Sequence, residues 1–257
     1  MQQLPLTRDL VLIGGGHAHA LALRMWAMDP LPGVRLTLIS PDPTAAYSGM
    51  LPGHVAGHYP RAALQMDLVQ LARHAGARLI LGRAGGIDRA AGQIHVPGRA
   101  PIGYDICSID IGITSDMPSL PGFAAHAHPA KPLDAFADAW EDFAARAAAG
   151  ARQVAVIGAG AAGVELALAA AYRLGPGAEV TLVEAGAEPL PLLGAGARAR
   201  LLRHLDRLGV RLLTGCPAAA VEPGAVLLQD GRRIPSQFTL GPRARSRRPG
   251  SRTPACT

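Results

Sequence analysis

Val154-Ala-Val-Ile-Gly158-Ala-Gly160-Ala-Ala-Gly163-Val-Glu165-Leu-Ala167, followed by Val180-Thr-Leu-Val-Glu184, decides the fold. An apolar, β-branched run feeds a glycine-rich turn, an alanine-rich helix follows, and a second β-branched run ends on a carboxylate. That order is a βαβ dinucleotide-binding unit. Gly158 permits the tight turn, Gly160 lets backbone N–H groups approach a pyrophosphate, and Gly163 lets the helix pack closely on its strand. Ala161 opens the helix, whose unpaired N–H groups and positive dipole end meet the anion. Glu184 lies about twenty residues beyond Gly163, where a carboxylate accepts hydrogen bonds from a ribose 2′-OH. It would repel a 2′-phosphate, so the pattern favours NAD(H) over NADP(H).

Working outward, the first half carries a looser copy. Asp9–Ile13 has a strand pattern that runs into Gly14-Gly-Gly16-His17-Ala-His19, then a helical stretch to about Met28 and a second strand over Arg35–Ile39. His19 stands where the third glycine is usual, so the helix is expected to sit farther from its strand. Ser40 occupies the usual place of the ribose-binding carboxylate, with Asp42 two residues later as a substitute. Pro43–Tyr59 reads as a thin, rigid loop, either an ordinary surface loop or one able to lie against a flat ring.

Beyond it the pattern predicts a helix over Arg61–His74 and a strand over Arg78–Leu81. A small hairpin at Gly86–Asp88 and Gln93–Val96 precedes a strand over Tyr104–Ile111, where Gly112 allows close backbone approach. A helix over Leu133–Ala148 leads into the strong motif. After Glu184 come a helix from about Ala197 to Leu208, a strand at Arg211–Thr214, and a hairpin turning at Asp230-Gly231. The two halves repeat one plan. Two nucleotide sites in one chain suggest electron transfer between two nucleotides.

The composition, 49% hydrophobic and 17% charged over 257 residues, is that of a globular α/β protein with a sizeable core. The net charge of +6 points toward nucleic acid until it is located. Arg243, Arg245, Arg247, Arg248 and Arg252 supply five of the six, so the body is nearly neutral and that class loses its support. Cys107, Cys216 and Cys256 form neither a CxxC pair nor a disulfide framework, which fits a reducing, cytoplasmic setting. Neither a signal sequence nor a membrane span is expected.

With these motifs the chain resembles the pyridine nucleotide–disulfide oxidoreductase superfamily. Gly14–His19, the run Leu36-Thr-Leu-Ile-Ser40-Pro-Asp42 and Tyr47-Ser-Gly-Met-Leu51-Pro52-Gly53 are similar to the type II NADH dehydrogenase-like branch, and within it to the flavoprotein found beside, or fused to, selenide, water dikinase. The resemblance spans residues 8 to about 237 and implies two Rossmann-like domains of the three-layer ββα type, the first incomplete. It implies FAD at the first motif, with Gly14, Gly16, His17, Ser40 and Asp42 around it, Leu51-Pro52 near the isoalloxazine, and Gly112 in the segment that crosses between domains. That segment usually ends Ala-Thr-Gly and here reads Asp110-Ile-Gly112. NAD(H) is implied at Gly158, Gly160, Ala161, Gly163 and Glu184, and Glu165 resembles a glutamate near the nicotinamide–flavin contact. Read as an ordinary helix residue, Glu165 would instead pair with an arginine.

The family's paired redox cysteines are missing, so disulfide reduction is not expected. Hydride passage from NADH to flavin and on to a small-molecule acceptor is. The resemblance implies a quinone-like acceptor, with peripheral membrane contact in a full-length form, or a selenium compound. His54 and His58 are four apart without a third ligand, so no metal site is expected; His126 and His128 read as solvated. The expected domains are residues 1–130 for FAD, 131–237 for NAD(H), and a basic tail over 238–257 with no apolar period. That ending suggests a truncated or out-of-frame terminus, which leaves a nucleotide-binding fragment without turnover as the alternative.

Overall fold

The computed structural model describes residues 6–112, 119–147, 150 and 152–241. In chain order its elements are β1 (Arg8–Ile13), α1 (His17–Met28), β2 (Val34–Ser40), β3 (Thr44–Ala46), α2 (Leu51–Val55), β4 (Gln65–Asp67), α3 (Leu68–His74), β5 (Arg78–Leu81), β6 (Gly86–Asp88), β7 (Gln93–His95), β8 (Ile102–Gly103) and β9 (Ile106–Ile109). There follow α4 (Phe123–His126), β10 (His128–Pro129), α5 (Leu133–Ala147), β11 (Gln153–Ile157), α6 (Ala161–Leu174), β12 (Glu179–Val183), α7 (Ala195–Arg207), β13 (Arg211–Leu213), β14 (Ala218–Glu222), β15 (Ala225–Leu228), β16 (Arg233–Pro235) and β17 (Phe238–Gly241). The chain divides into two compact units, residues 1–47 with 62–112, and residues 48–61 with 113–257.

The first unit is built on a parallel sheet in the order β5-β2-β1-β9. Because successive strand residues point to opposite faces, β1 and β2 can serve two layers at once. Val11, Ile13 and Ile39 pack with Ile94, Val96 and Ile102 on the side of the antiparallel sheet β6-β7-β8, while Leu12, Leu36 and Leu38 pack with Leu23 of α1 and Leu68 of α3. Strands buried on both faces read as continuous apolar runs, as these do. The second unit repeats the plan with a parallel sheet β10-β17-β11-β12-β13 and an antiparallel sheet β14-β15-β16, and Ala155, Ile157 and Val183 pack against Val221, Val226, Leu228 and Ile234 between them. Both small sheets have three strands where the sequence shows two.

Four expectations are corrected. Arg61–His74 is a 3₁₀ turn, strand β4 and helix α3, since residues 65–67 are drawn into pairing with β3 and Asp67 starts α3 by accepting the Gln70 N–H at 2.9 Å. The stretch Pro43–Tyr59 is largely ordered structure, with Pro52 in the first turn of α2, where a missing N–H costs nothing. Phe238–Gly241, expected to open the basic tail, forms β17 in the middle of the second sheet, paired with β11 on one side and β10 on the other. The reason is aromatic. Phe238 is buried against Phe136, Trp140 and Phe143 of α5, and His128 stacks on it at 4.5 Å, half-buried rather than solvated. Residues 242–257, the remainder of the expected tail, lie outside the described residues.

Candidate functional site

In the second unit, β11 delivers the chain into the glycine turn at the C-terminal end of the sheet. Gly158 has φ +111°, a conformation that suits glycine, and donates to Val183 O of the neighbouring strand at 2.7 Å. A Cβ built on Gly158 or Gly160 meets no atom within 4 Å, so the space above the turn is open. Gly160 precedes α6 with extended backbone and no side chain caps the helix. The N–H groups of Gly160, Ala161, Ala162 and Gly163 accordingly carry no hydrogen bond among the described residues. Four donors on a positive dipole end fit a pyrophosphate. Gly163, in the first turn of α6, is buried.

Glu184, at the end of β12, has a further task that the sequence does not show. One carboxylate oxygen accepts the Ala159 N–H inside the glycine turn and the other accepts the Gly186 N–H, both at 2.7 Å. A carboxylate offers about four lone-pair sites, so acceptor capacity for a ribose hydroxyl remains on each oxygen. Beyond β12 the chain folds back over the turn, where Leu190, buried at a left-handed φ of 53°, donates to Ala159 O at 2.8 Å. Nothing in the local sequence signals that conformation. Glu165 is exposed on α6 and pairs with no arginine among the described residues.

The first turn is built differently. Gly14 has φ +93°, and a Cβ there would lie 2.1 Å from Asp110 O, so only glycine fits beside the end of β9. Gly16 approaches the Asp110 side chain equally closely, its N–H bonding Asp110 O at 3.2 Å. Asp110 Oδ2 accepts the His19 N–H at 3.0 Å, which caps α1 from a distant strand. The N–H groups of Gly15, His17 and Ala18 have no partner among the described residues, so this turn also offers donors to a pyrophosphate, with the Asp110 carboxylate beside them.

His19 explains the missing third glycine. Its ring is buried, Nδ1 donating to Gly14 O at 2.7 Å and Nε2 facing Ser108 Oγ at 2.9 Å, so the imidazole fills a polar notch between the turn and β9. His17 is exposed and stacks on Tyr47 at 4.5 Å. Ser40 is buried at the end of β2 near Gly15, whereas Asp42 is exposed. Leu51 and Pro52 belong to the second unit, on α2; Gly112 ends the described part of the first.

Cys107 and Cys216 are both free. Cys107 is half-buried in β9, where burial pushes its thiol up, and Cys216 sits 2.9 Å from Arg232 Nη2 in the other unit. Cys256 lies outside the described residues. Among the described residues no cluster of three or more metal-ligating side chains occurs, and α2 ends before His58, so His54 and His58 share no helix face. No described helix is long and apolar enough to cross a membrane.

The model of the pyridine nucleotide-disulphide oxidoreductase family matches residues 8–240. Among solved structures, the sulfide:quinone oxidoreductase of Aquifex aeolicus superposes with a TM-score of 0.77 at 17% identity, over 94% of this chain and 60% of that one. NDH2 from Plasmodium falciparum in complex with NADH gives 0.75 at 14% identity, over 91% and 54%. The water-forming NADH oxidase from Lactobacillus brevis bound to NADH gives 0.74 at 18%, over 93% and 54%. At these identities the likeness is one of fold, and the chain spans 54 to 60% of the length of these three proteins. No curated protein sequence matches the chain. With the family model covering both glycine turns, the chain belongs to the pyridine nucleotide-disulphide oxidoreductase family.

Proposed function

We propose that the chain is an FAD-dependent NADH oxidoreductase that passes reducing equivalents to a small, quinone-like acceptor. The observation that carries the reading is the pair of glycine turns at the ends of β1 and β11, each followed by a helix whose first N–H groups are unspent. In this reading residues 1–130 hold FAD and residues 131–237 hold NAD(H). Gly14 and Gly16 let the first pyrophosphate approach; His17, Ser40, Asp42, Leu51, Pro52 and Gly112 complete the flavin's surroundings. At the second turn Gly158, Gly160, Ala161 and Gly163 bind and orient the other pyrophosphate, and Glu184 accepts the ribose 2′-OH and excludes a 2′-phosphate. When bound, nicotinamide and flavin supply the hydride chemistry themselves, so the protein's part is orientation and exclusion of water. Glu165 is the residue proposed to act near their contact.

The spacing of Cys107, Cys216 and Cys256 along the sequence favours a mechanism without disulfide exchange. The narrower assignment, to the type II NADH dehydrogenase-like branch and the flavoprotein associated with selenide, water dikinase, rests on the motifs Gly14–His19, Leu36–Asp42 and Tyr47–Gly53; a quinone follows from the first and a selenium compound from the second. Cysteine usage favours a cytoplasmic setting.

The test is the visible spectrum of the purified protein before and after NADH without oxygen. A flavin band that bleaches supports the reading. No flavin uptake from added FAD, with NADH binding retained, would replace it with a nucleotide-binding chain that does not turn over.

A further inference from the structure

The two glycine turns differ in one respect that bears on what they bind. At the second, a Cβ built on Gly160 meets no atom within 4 Å, and Glu184 bonds Ala159 and Gly186, both outside α6. At the first, a Cβ built on Gly16 would lie 2.3 Å from Cγ and from both carboxylate oxygens of Asp110. The space that the second turn leaves open is filled, at the first, by an anion of the chain itself.

Asp110 is placed there by its backbone and by one side-chain contact. Its carbonyl oxygen accepts the Gly16 N–H at 3.2 Å, so the end of β9 lies against the turn. Its Oδ2 accepts the N–H of His19, the third residue of α1, at 3.0 Å. Gly16 is the N-cap residue of α1 and has no side chain to offer; a carboxylate at that position would ordinarily accept this same N–H. Asp110 thus supplies the missing cap from a distant strand and sets a negative charge on the positive end of the helix. The second glycine of such a motif lets the pyrophosphate come close to bare backbone. Here the carboxylate already lies on that backbone. A pyrophosphate brought to the unspent N–H groups of Gly15, His17 and Ala18 would meet a like charge at short range. Asp110 is half-buried, and the bond to His19 is the one hydrogen bond of its side chain among the described residues, so the carboxylate is free to leave.

We propose that Asp110 is a built-in competitor of the dinucleotide: its carboxylate holds the anion position at the head of α1, and FAD loads only by displacing it. The inference rests on the reading of the first turn as the FAD site. It makes Asp110 the residue that sets how readily the chain takes up flavin, whereas the second turn, with no carboxylate over Gly160, admits NAD(H) without such an exchange. A carboxylate that served the helix alone would cost stability when removed and would bring no gain in ligand affinity.

The experiment uses the full chain stripped of flavin, with saturating NAD⁺ to occupy the second turn. FAD binding is read from flavin fluorescence and inorganic pyrophosphate binding from calorimetry, for the wild type, Asp110→Asn and Asp110→Ala. Asp110→Asn keeps an oxygen for the His19 N–H and removes the charge; Asp110→Ala empties the position, and where it fails to fold Asp110→Asn decides alone. Both variants are expected to bind FAD and pyrophosphate at least about tenfold more tightly than the wild type, as a like charge is removed from the anion's position. Equal FAD affinity in wild type and variants overturns the proposal and leaves the first turn as a flavin site. FAD binding in none of the three, with pyrophosphate still tighter in the variants, removes the flavin reading and upholds the competitor. No gain in pyrophosphate affinity in either variant overturns the proposal whatever FAD does.

Discussion

Replacing Glu184 separates two roles that converge on one carboxylate. The Ala159 N–H that it accepts belongs to a residue with no exposed surface, so water cannot take its place; the Gly186 N–H is exposed and can be rehydrated. Leaving a buried donor unsatisfied costs about 1–3 kcal/mol, whereas a rehydrated one costs little. Glu184→Ala should therefore destabilise the nucleotide-free protein by about 2 kcal/mol. Glu184→Gln keeps one amide oxygen for the Ala159 N–H but turns its NH₂ toward the Gly186 N–H, and should cost about half as much. With ligand, loss of the ribose contact should weaken NADH by about tenfold, or about 1.4 kcal/mol, while NADPH gains relative to NADH. Urea denaturation of the nucleotide-free variants and NADH titration by fluorescence read the two effects separately. If Glu184→Ala unfolds within about 0.5 kcal/mol of wild type, the carboxylate does not hold the turn, and the reasoning from its two hydrogen bonds is refuted.

Gly160→Ala places a methyl group in open space at a backbone conformation that alanine tolerates, so stability should change by less than about 1 kcal/mol while NADH affinity, measured by the same titration, falls at least about tenfold as the methyl occupies the pyrophosphate's approach. His19→Ala removes one buried and one part-buried hydrogen bond and a ring from the first turn and should cost about 2–4 kcal/mol in chemical denaturation; His19→Gly, though it restores the usual third glycine, should fare no better. His128, desolvated beside Phe238, has its pKa lowered from the ordinary 6.5, so the unfolded chain binds the proton first. Stability from this group is complete above about pH 6.5 and is lost as pH falls below it; His128→Phe should flatten that slope between pH 7 and 5 in thermal melts.

Much of the architecture was legible because the dinucleotide unit is a local object. Strand, glycine turn, helix and acid follow one another within some thirty residues, each constrained by its own backbone chemistry, so Val154–Glu184 and its weaker copy at Asp9–Ile39 could be read without knowing what they pack against. Buried parallel strands announce themselves as apolar runs, and the Asp230-Gly231 turn announces its hairpin.

What depends on distant partners was decided only by the tertiary structure. Phe238 carries no sign of its partners at positions 136, 140 and 143, so a four-residue strand among arginines and prolines read as the start of a tail. Residues 65–67 have helical neighbours and became a strand because Thr44–Ala46 offered an edge to pair with. His19 read as an imperfect glycine until Ser108 and Asp110, some ninety residues on, gave its ring and amide their partners. The tie from Glu184 to Ala159 has the same origin. Hydrogen bonding and close packing act over a few ångströms of space whatever the separation along the chain, so the chain by itself determines the units that are contiguous in it, and folding decides which remote side chains complete them.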